Sequence, residues 1–154
     1  MQNDYLSQLL KGIPTGNNKK RAFISFDYEY DEALKNLLNG QAKLEDSPFY
    51  FEDWSVKEPF PQASWKDEVR TKIKQSNFMI VIIGVNTYQA SGVLEEIKIA
   101  NEEQVPCFGV HKQDRQYYVP QGLGKRYVPW TWEAIKQAIN NLNNYRLLPP
   151  IWTR

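Results

Sequence analysis

Residues that could bind a nucleotide follow directly after the first apolar run of the sequence. Ser25 and Asp27 offer oxygens that could accept hydrogen bonds from ribose or amide groups. Phe26 and Tyr28 offer ring faces that could stack on a base or on nicotinamide. The same run suits an ordinary helix start, in which Asp27 or Asp31 caps the next helix and Tyr28 packs on its flank. On residue types alone, the helix cap is favoured over the ligand site.

An acidic pair, Glu95–Glu96, lies in the first half of another predicted helix. Val93 and Ile97 are four residues apart and should face the sheet, which places Glu96 beside that apolar stripe. A carboxylate near a helix N-terminus is held ionised by the helix dipole. It could stabilise the cation that develops when an N-glycosidic bond breaks. The alternative is a solvated surface pair, in which Glu95 reaches along the helix towards Lys98.

Two further strand ends carry candidate binding residues. Trp54 follows the second predicted strand, and it could either close over a ligand or pack on its own loop. Asn86 follows the third predicted strand and offers an amide for polar contacts. His111 is the only histidine, so a histidine-based metal cluster cannot form, and we expect no metal. Neither a Gly-x-Ser-x-Gly frame nor a phosphate-binding P-loop sequence is present.

The elements that must position these residues alternate along the chain. Predicted strands cover residues 21–26, 48–53, 77–85 and 105–111, with a short one at 127–128. Predicted helices cover residues 31–40, 64–76, 92–104 and 130–145. Asn39-Gly40 predicts the end of the first of these helices, and Ser64 the N-cap of the second. The third strand is apolar almost throughout, which is typical of a central parallel strand covered by helices on both faces.

This alternation predicts an α/β fold of the flavodoxin-like type, an open parallel sheet with helices on both faces. The expected strand order is 2-1-3-4, with the fifth strand as an optional addition. In such sheets ligands bind beyond the carboxyl ends of the strands, where the strand order reverses. The first and third strands flank that position. We therefore expect residues 25–28, Asn86 and Glu96 to line one crevice.

The length of 154 residues suits a single domain. Residues 1–20 are predicted to be an N-terminal extension and linker, residues 21–145 the α/β domain, and residues 146–154 a C-terminal tail. The linker prediction rests on the Gly-, Pro-, Asn- and Lys-rich stretch that precedes the first strand.

The composition excludes several classes of partner. Lys and Arg number 19 against 18 for Asp and Glu, too even a balance to imply nucleic acid or an anionic membrane as partner. No apolar run reaches the roughly 18 to 20 residues that span a bilayer, and the N-terminus lacks a basic-then-apolar signal layout. The single cysteine, Cys107, excludes an internal disulfide and suits a reducing compartment. We expect a soluble cytoplasmic protein.

Four stretches together resemble the Toll/interleukin-1 receptor (TIR) superfamily, and more specifically the TIR-like proteins of bacterial Thoeris antiphage systems. They are RAFISFDYEYDEAL, IKQSNFMIVIIGVNTY, EEIKIA and VPCFGVH. The resemblance covers roughly residues 20–112. It implies a flavodoxin-like sheet and an enzyme that cleaves NAD⁺ at the nicotinamide–ribose bond. Active members release ADP-ribose, and Thoeris members make a cyclised or conjugated ADP-ribose signal that activates an effector protein.

The resemblance also assigns residues. The family's catalytic glutamate falls on Glu96, with Glu95 as a one-residue alternative. Because of their placement around the predicted crevice, and not through the resemblance, Phe26 and Tyr28 are expected to line the base or nicotinamide pocket, with Ser25, Asp27 and Asn86 as polar contacts. NAD⁺ is the substrate, and no cofactor is implied.

The sequence departs from the family pattern at one position. The family often has a tryptophan four residues before the catalytic glutamate, and here that position is Gly92. Trp54 or Tyr88 would then supply the missing ring.

Two alternatives remain open. One is a non-catalytic TIR-like module that self-associates or binds a nucleotide; Gly92 and the aromatic residues Trp130, Trp132 and Trp152 favour it. The other is an enzyme resembling nucleoside deoxyribosyltransferases, which use a similar sheet and a glutamate nucleophile.

Overall fold

The computed structural model describes residues 19–51 and 62–147. Predictions for the N-terminal extension, for Trp54 and for most of the C-terminal tail lie outside these ranges. The strands are β1 (Lys20–Ser25), β2 (Phe49–Tyr50), β3 (Phe78–Ile83), β4 (Cys107–His111) and β5 (Tyr127–Pro129). The α-helices are α1 (Glu32–Ala42), α2 (Gln62–Lys74), α3 (Ser91–Glu102) and α4 (Trp132–Asn140). Short 3₁₀ turns cover Thr87–Gln89 and Leu142–Tyr145.

The strands of the described residues form one parallel sheet in the order β2-β1-β3-β4-β5. This confirms the predicted flavodoxin-like arrangement, including the fifth strand. Parallel neighbours need crossover connections, and helices lie between consecutive strands at three of the four crossovers. Since all strands run the same way, their ends meet at one edge, which we call the carboxyl edge of the sheet.

Two apolar layers cover the sheet. One, the α1–α4 layer, contains Phe26, Leu34 and Ile135. The other, the α2–α3 layer, contains Phe23 and Ile97. The alternating direction of side chains along a strand explains why Phe23 and Phe26 belong to different layers. Every residue of β3 is buried, as expected for a central strand.

Several predicted boundaries are wrong, and at the first helix burial overrides the local signal. Helix α1 continues past Asn39-Gly40 to Ala42, since Leu38 and Ala42 are buried while Gly40 is exposed and meets no neighbouring side chain. Ser64 is not an N-cap, because α2 already begins at Gln62.

The last helix begins later than predicted. Its N-cap is Thr131, whose Oγ1 accepts a hydrogen bond from the Ala134 amide at 3.1 Å. The helix ends at Asn140, and the 3₁₀ turn that follows occupies the rest of the predicted span. In the described ranges, no helix has the length and apolar character needed to cross a membrane.

Candidate active site

The candidate catalytic glutamate is hydrogen-bonded to the end of the first strand. Ser25 is the last residue of β1 and is buried. Its Oγ donates to Oε1 of Glu96 on α3 at 2.6 Å. Because Ser25 lies two residues after Phe23 in β1, its side chain points to the same face, towards the α2–α3 layer, where it meets α3. The structure therefore brings together two residues that lie 71 positions apart in the chain.

Burial sets the ionisation of Glu96. The residue keeps a partly exposed surface, but protein surrounds its carboxyl group, and this burial raises its pKa from 4.5 to about 7. The hydrogen bond from Ser25 acts in the opposite direction and lowers the pKa. Burial, and not the helix dipole expected from the sequence, is therefore the main influence on the pKa of this carboxyl group. Glu96 is the sixth residue of α3, beyond the first turn where the dipole acts most strongly.

The neighbouring acid has a different environment. Oε1 of Glu95 lies 3.8 Å from Nζ of Lys66 on α2, and both side chains retain solvent exposure. This ion pair joins α2 to α3, so the reach towards Lys98 expected from sequence is not the contact observed. Of the two acids, only Glu96 contacts the end of β1 among the described residues.

The remaining residues of the first strand exit do not all face Glu96. Phe26 is buried in the α1–α4 layer, on the opposite side of the sheet from the Ser25–Glu96 pair. Tyr28 is exposed, with its ring 4.6 Å from that of Phe26 between centroids. Asp27 accepts a hydrogen bond from the Glu29 amide at 3.0 Å and stays partly exposed.

A buried polar cluster holds the exits of β1 and β3 together. Asp31 is buried, and its carboxylate accepts a hydrogen bond from Thr87 Oγ1 at 3.0 Å. Thr87 Oγ1 in turn accepts from the Gly84 amide at 2.7 Å. A side chain at Gly84 would collide with Asp31, because a Cβ there would lie 2.3 Å from its Oδ1. Asp31 is the residue before α1, but its side chain makes no cap hydrogen bond.

The sequence did not predict this cluster, because Asp31 was considered only as a helix cap. Burial raises the pKa of Asp31, and the Thr87 hydrogen bond opposes that rise. Asn86, the residue just before the 3₁₀ turn, is partly exposed next to the cluster, and its carbonyl accepts from the Gln89 amide at 3.0 Å. Trp54 lies outside the described residues.

Among the described residues, the ring nearest to Gly92 belongs to Trp65 on α2. Cζ2 of Trp65 would lie 3.9 Å from a Cβ at Gly92, which is an ordinary contact distance. Gly92 and Glu96 are four residues apart in α3 and so lie on the same side of the helix. Tyr88, one of the two rings expected to compensate, instead contacts Tyr118.

Other kinds of chemistry find no support in the described part of the chain. There, no three His, Cys, Asp or Glu side chains are grouped as metal ligands. Burial raises the pKa of Cys107 to about 12, so this thiol stays protonated at neutral pH and is not a nucleophile.

Comparison with known proteins gives a family match. Residues 23–117, more than half of the chain, match the family described as Thoeris protein ThsB, TIR-like domain. A prokaryotic SEFIR domain has 17% identity and a TM-score of 0.48, covering 86% of this chain and 96% of that one. TIR domains of the activated Roq1 resistosome, which directly recognises the pathogen effector XopQ, have 18% identity and a TM-score of 0.45, covering 82% and 74%. No curated protein matches the chain.

Proposed function

The chain belongs to the family of the TIR-like domain of the Thoeris protein ThsB, and we propose that it cleaves the bond between nicotinamide and ribose in NAD⁺. The observation that carries this proposal is the 2.6 Å hydrogen bond between Ser25 and Glu96 at the carboxyl edge of the sheet. It supplies an oriented carboxyl group at the place where parallel α/β sheets bind ligands.

In the proposed reaction, the bond between C1′ of the ribose and the pyridinium nitrogen breaks. The bonding electrons leave with nicotinamide, which departs as a neutral molecule and needs no general acid. Positive charge develops on the ribose, and the ionised Glu96 carboxylate stabilises it in surroundings of low dielectric constant. A water molecule, or a hydroxyl or amine of another acceptor, then bonds to C1′ and releases a proton.

Ser25 has a positioning role in this scheme. Its hydroxyl occupies one lone pair of Oε1 and fixes the direction of the Glu96 carboxyl group. A hydrogen bond to the charged form also favours ionisation, so it keeps the pKa of Glu96 lower than burial alone would set it. The carboxyl group is consequently near its titration midpoint at neutral pH.

The product would be ADP-ribose, or a cyclised or conjugated ADP-ribose that acts as a diffusible signal. We propose that this signal activates a separate effector protein in the cytoplasm as part of antiviral defence. The support for this step is family membership.

The test is release of nicotinamide from NAD⁺ by the purified protein, with and without cell extract from phage-infected bacteria. Glu96→Gln keeps the size of the side chain and an acceptor for Ser25 but removes the charge. We expect a loss of about 100-fold or more in rate. Glu95→Gln is the matched control, because Glu95 pairs with Lys66 instead, and we expect it to keep the wild-type rate within a few fold.

A second candidate function is a nucleotide-binding module without catalysis. It is favoured by Gly92, which leaves α3 without a ring of its own one turn before Glu96. The surface tryptophans favour it less than the sequence suggested. Trp130 and Trp132 pack against the α1–α4 layer, and their indole nitrogens donate to Gln41 and Asp46. Binding of ADP-ribose without any turnover of NAD⁺ would support this second function.

A further inference from the structure

We propose that Tyr88 and Tyr118 form an aromatic subsite that binds the adenine of the dinucleotide, with Arg115 beside it as the contact for the diphosphate. This inference rests on the proposed function, since it assigns the part of the substrate that lies far from the bond that breaks.

The two tyrosines form a pair on the surface. Their ring centroids lie 4.9 Å apart with the planes inclined by 54°. Tyr88 is 39% exposed and Tyr118 49% exposed, so much of each side chain faces solvent. The hydroxyl of Tyr118 accepts a hydrogen bond from Gln116 at 2.7 Å, which restrains the ring. A restrained, exposed ring suits stacking on a base, because little side-chain entropy is lost on binding.

The fold does not need these two rings for its core. In the segment after β4, Tyr117 and Val119 pack into the α2–α3 layer, whereas Tyr118 between them points outward. The ring of Tyr117 stacks on His111 at 4.0 Å, which anchors the segment at the end of β4. In the 3₁₀ turn after β3, Thr87 is buried and its neighbour Tyr88 is exposed. The packed residues next to each tyrosine thus fix the backbone so that Tyr88 and Tyr118 face solvent.

Tyr88 and the reacting end are linked through one stretch of chain at the carboxyl edge. Tyr88 is in the turn that leads directly into α3, and Glu96 is five residues beyond the first residue of that helix. Five residues of α-helix span about 8 Å along the axis. Tyr88 before the helix and Glu96 within it are therefore separate positions along this stretch, as the adenine and the nicotinamide ribose are separate ends of one dinucleotide.

Arg115 lies in the same loop as Tyr118, between β4 and that tyrosine, and it is exposed. Burial raises the pKa of Asp31, and the positive charge of Arg115 opposes that rise, so the guanidinium acts on the exit of β1, the strand that carries Ser25. We assign the diphosphate to Arg115 because its planar fork matches two diphosphate oxygens.

The test compares two substrates. In Tyr88→Ala and Tyr118→Ala we expect the KM for NAD⁺ to rise about tenfold, the size typical of a lost base stack, with kcat nearly unchanged. For nicotinamide mononucleotide, which has the same reacting bond but no adenosine, we expect the wild-type kcat/KM in both variants. Arg115→Ala should raise the KM for NAD⁺ as well.

Tyr50→Ala is the matched control. Tyr50 is also an exposed tyrosine, but β2 pairs with the first half of β1, so it lies away from the carboxyl edge. It should keep wild-type kinetics on both substrates. Circular dichroism and the thermal midpoint of each variant verify that the fold is intact.

Calorimetric binding separates this subsite from the proposed function. In the Glu96→Gln background, affinity for ADP-ribose should fall about tenfold when Tyr118 is replaced by Ala. If that fall is seen while the wild type does not cleave NAD⁺, the subsite stands and the catalytic proposal fails. The subsite is overturned if Tyr118→Ala leaves the affinity for ADP-ribose unchanged. It is also overturned if neither Glu96→Gln nor the double variant binds ADP-ribose, or if the tyrosine variants keep the wild-type KM for NAD⁺.

Discussion

At the scale of single residues, the proposed chemistry depends on how Glu96 is held. Its carboxyl group is surrounded by protein and bonded to one hydroxyl, that of Ser25. Burial favours the neutral form and the hydrogen bond favours the charged form, which leaves the pKa near 7. A group poised in this way can be ionised at cellular pH without a metal or a paired cation.

Replacing Ser25 with alanine should change the pH dependence of nicotinamide release more than it changes the maximal rate of release. The variant loses the hydrogen bond that lowers the pKa of Glu96. The rise of the rate with pH on the acidic side of the profile should therefore shift to higher pH. We expect the rate at pH 7 to fall roughly three- to tenfold and to recover at higher pH. Thr71→Ala, which removes an exposed hydroxyl bonded within α2, is the control. An equal loss at every pH would show that Ser25 does not act through Glu96.

The raised pKa of Glu96 also predicts a stability effect. The folded protein retains this proton up to about pH 7, whereas the unfolded chain loses it near 4.5. Ionising Glu96 therefore costs folding free energy, and the cost grows as the pH rises between those values and is complete above them. Glu96→Gln should exceed the wild type in free energy of unfolding by about 1 to 3 kcal/mol at pH 8, with no such gain at pH 4.

Urea denaturation at the two pH values measures this difference directly. Glu95→Gln serves as the control, since it should show no gain of this kind. A Glu96→Gln advantage that is the same at both pH values would mean that ionisation of the carboxyl group is not its cause.

At the scale of elements, the carboxyl edge is held together by the contact between Asp31, Thr87 and Gly84. It joins the loop between β1 and α1 to the end of β3, so the two strand exits that flank the site keep their relative position. The absence of a side chain at Gly84 allows the Asp31 carboxylate to approach the backbone.

Gly84→Ala should therefore lower the free energy of unfolding by about 1 to 3 kcal/mol, the usual effect of overpacking a buried site. Gly40→Ala is the control, and it should change the free energy of unfolding in the opposite direction. Gly40 is an exposed helical residue with open space around it, so alanine should stabilise α1 by about 0.5 to 1 kcal/mol. Denaturant midpoints of the two variants test both expectations. A Gly84→Ala protein as stable as the wild type would contradict the close packing of Asp31.

Sequence and structure agree best where the signal is long. The apolar run of β3 and the repeated alternation of strands and helices were sufficient to predict the sheet and its order. They failed at Gly40, where burial of Leu38 and Ala42 carries α1 past the predicted end, and at Ser64, which lies inside α2. A local capping signal carries only about 1 kcal/mol, which tertiary packing exceeds.

The candidate site was predicted less completely, for geometric reasons. Strand topology correctly placed Ser25 and the start of α3 at one edge, but the rotation of α3 decides which acid meets β1. The pocket role expected for Phe26 stays a prediction, although its ring lies in the layer opposite Glu96. The sequence did contain a signal for this. Side chains alternate between the two faces along a strand, so residues 25 and 26 should point to opposite faces of the sheet. Contacts between distant loops, such as Asp31 with Thr87, leave no local pattern.

At the scale of the whole molecule, the apolar core and the residues of the candidate site occupy different parts of the sheet. Both layers of the core are apolar, and the polar residues that concern the site collect at the carboxyl edge. The near balance of 19 basic and 18 acidic residues gives no strong overall field, so the proposed binding of an anionic dinucleotide relies on local groups.

The pH profile of nicotinamide release from NAD⁺ tests the catalytic role of Glu96 most directly. We expect kcat/KM of the wild type to rise with pH along an acid limb with an apparent pKa of about 7, and Glu96→Gln to lose both the limb and at least about 100-fold in rate. A limb near 4.5, or a Glu96→Gln protein with the wild-type profile, would contradict the assignment of Glu96 as the group that stabilises the ribosyl cation.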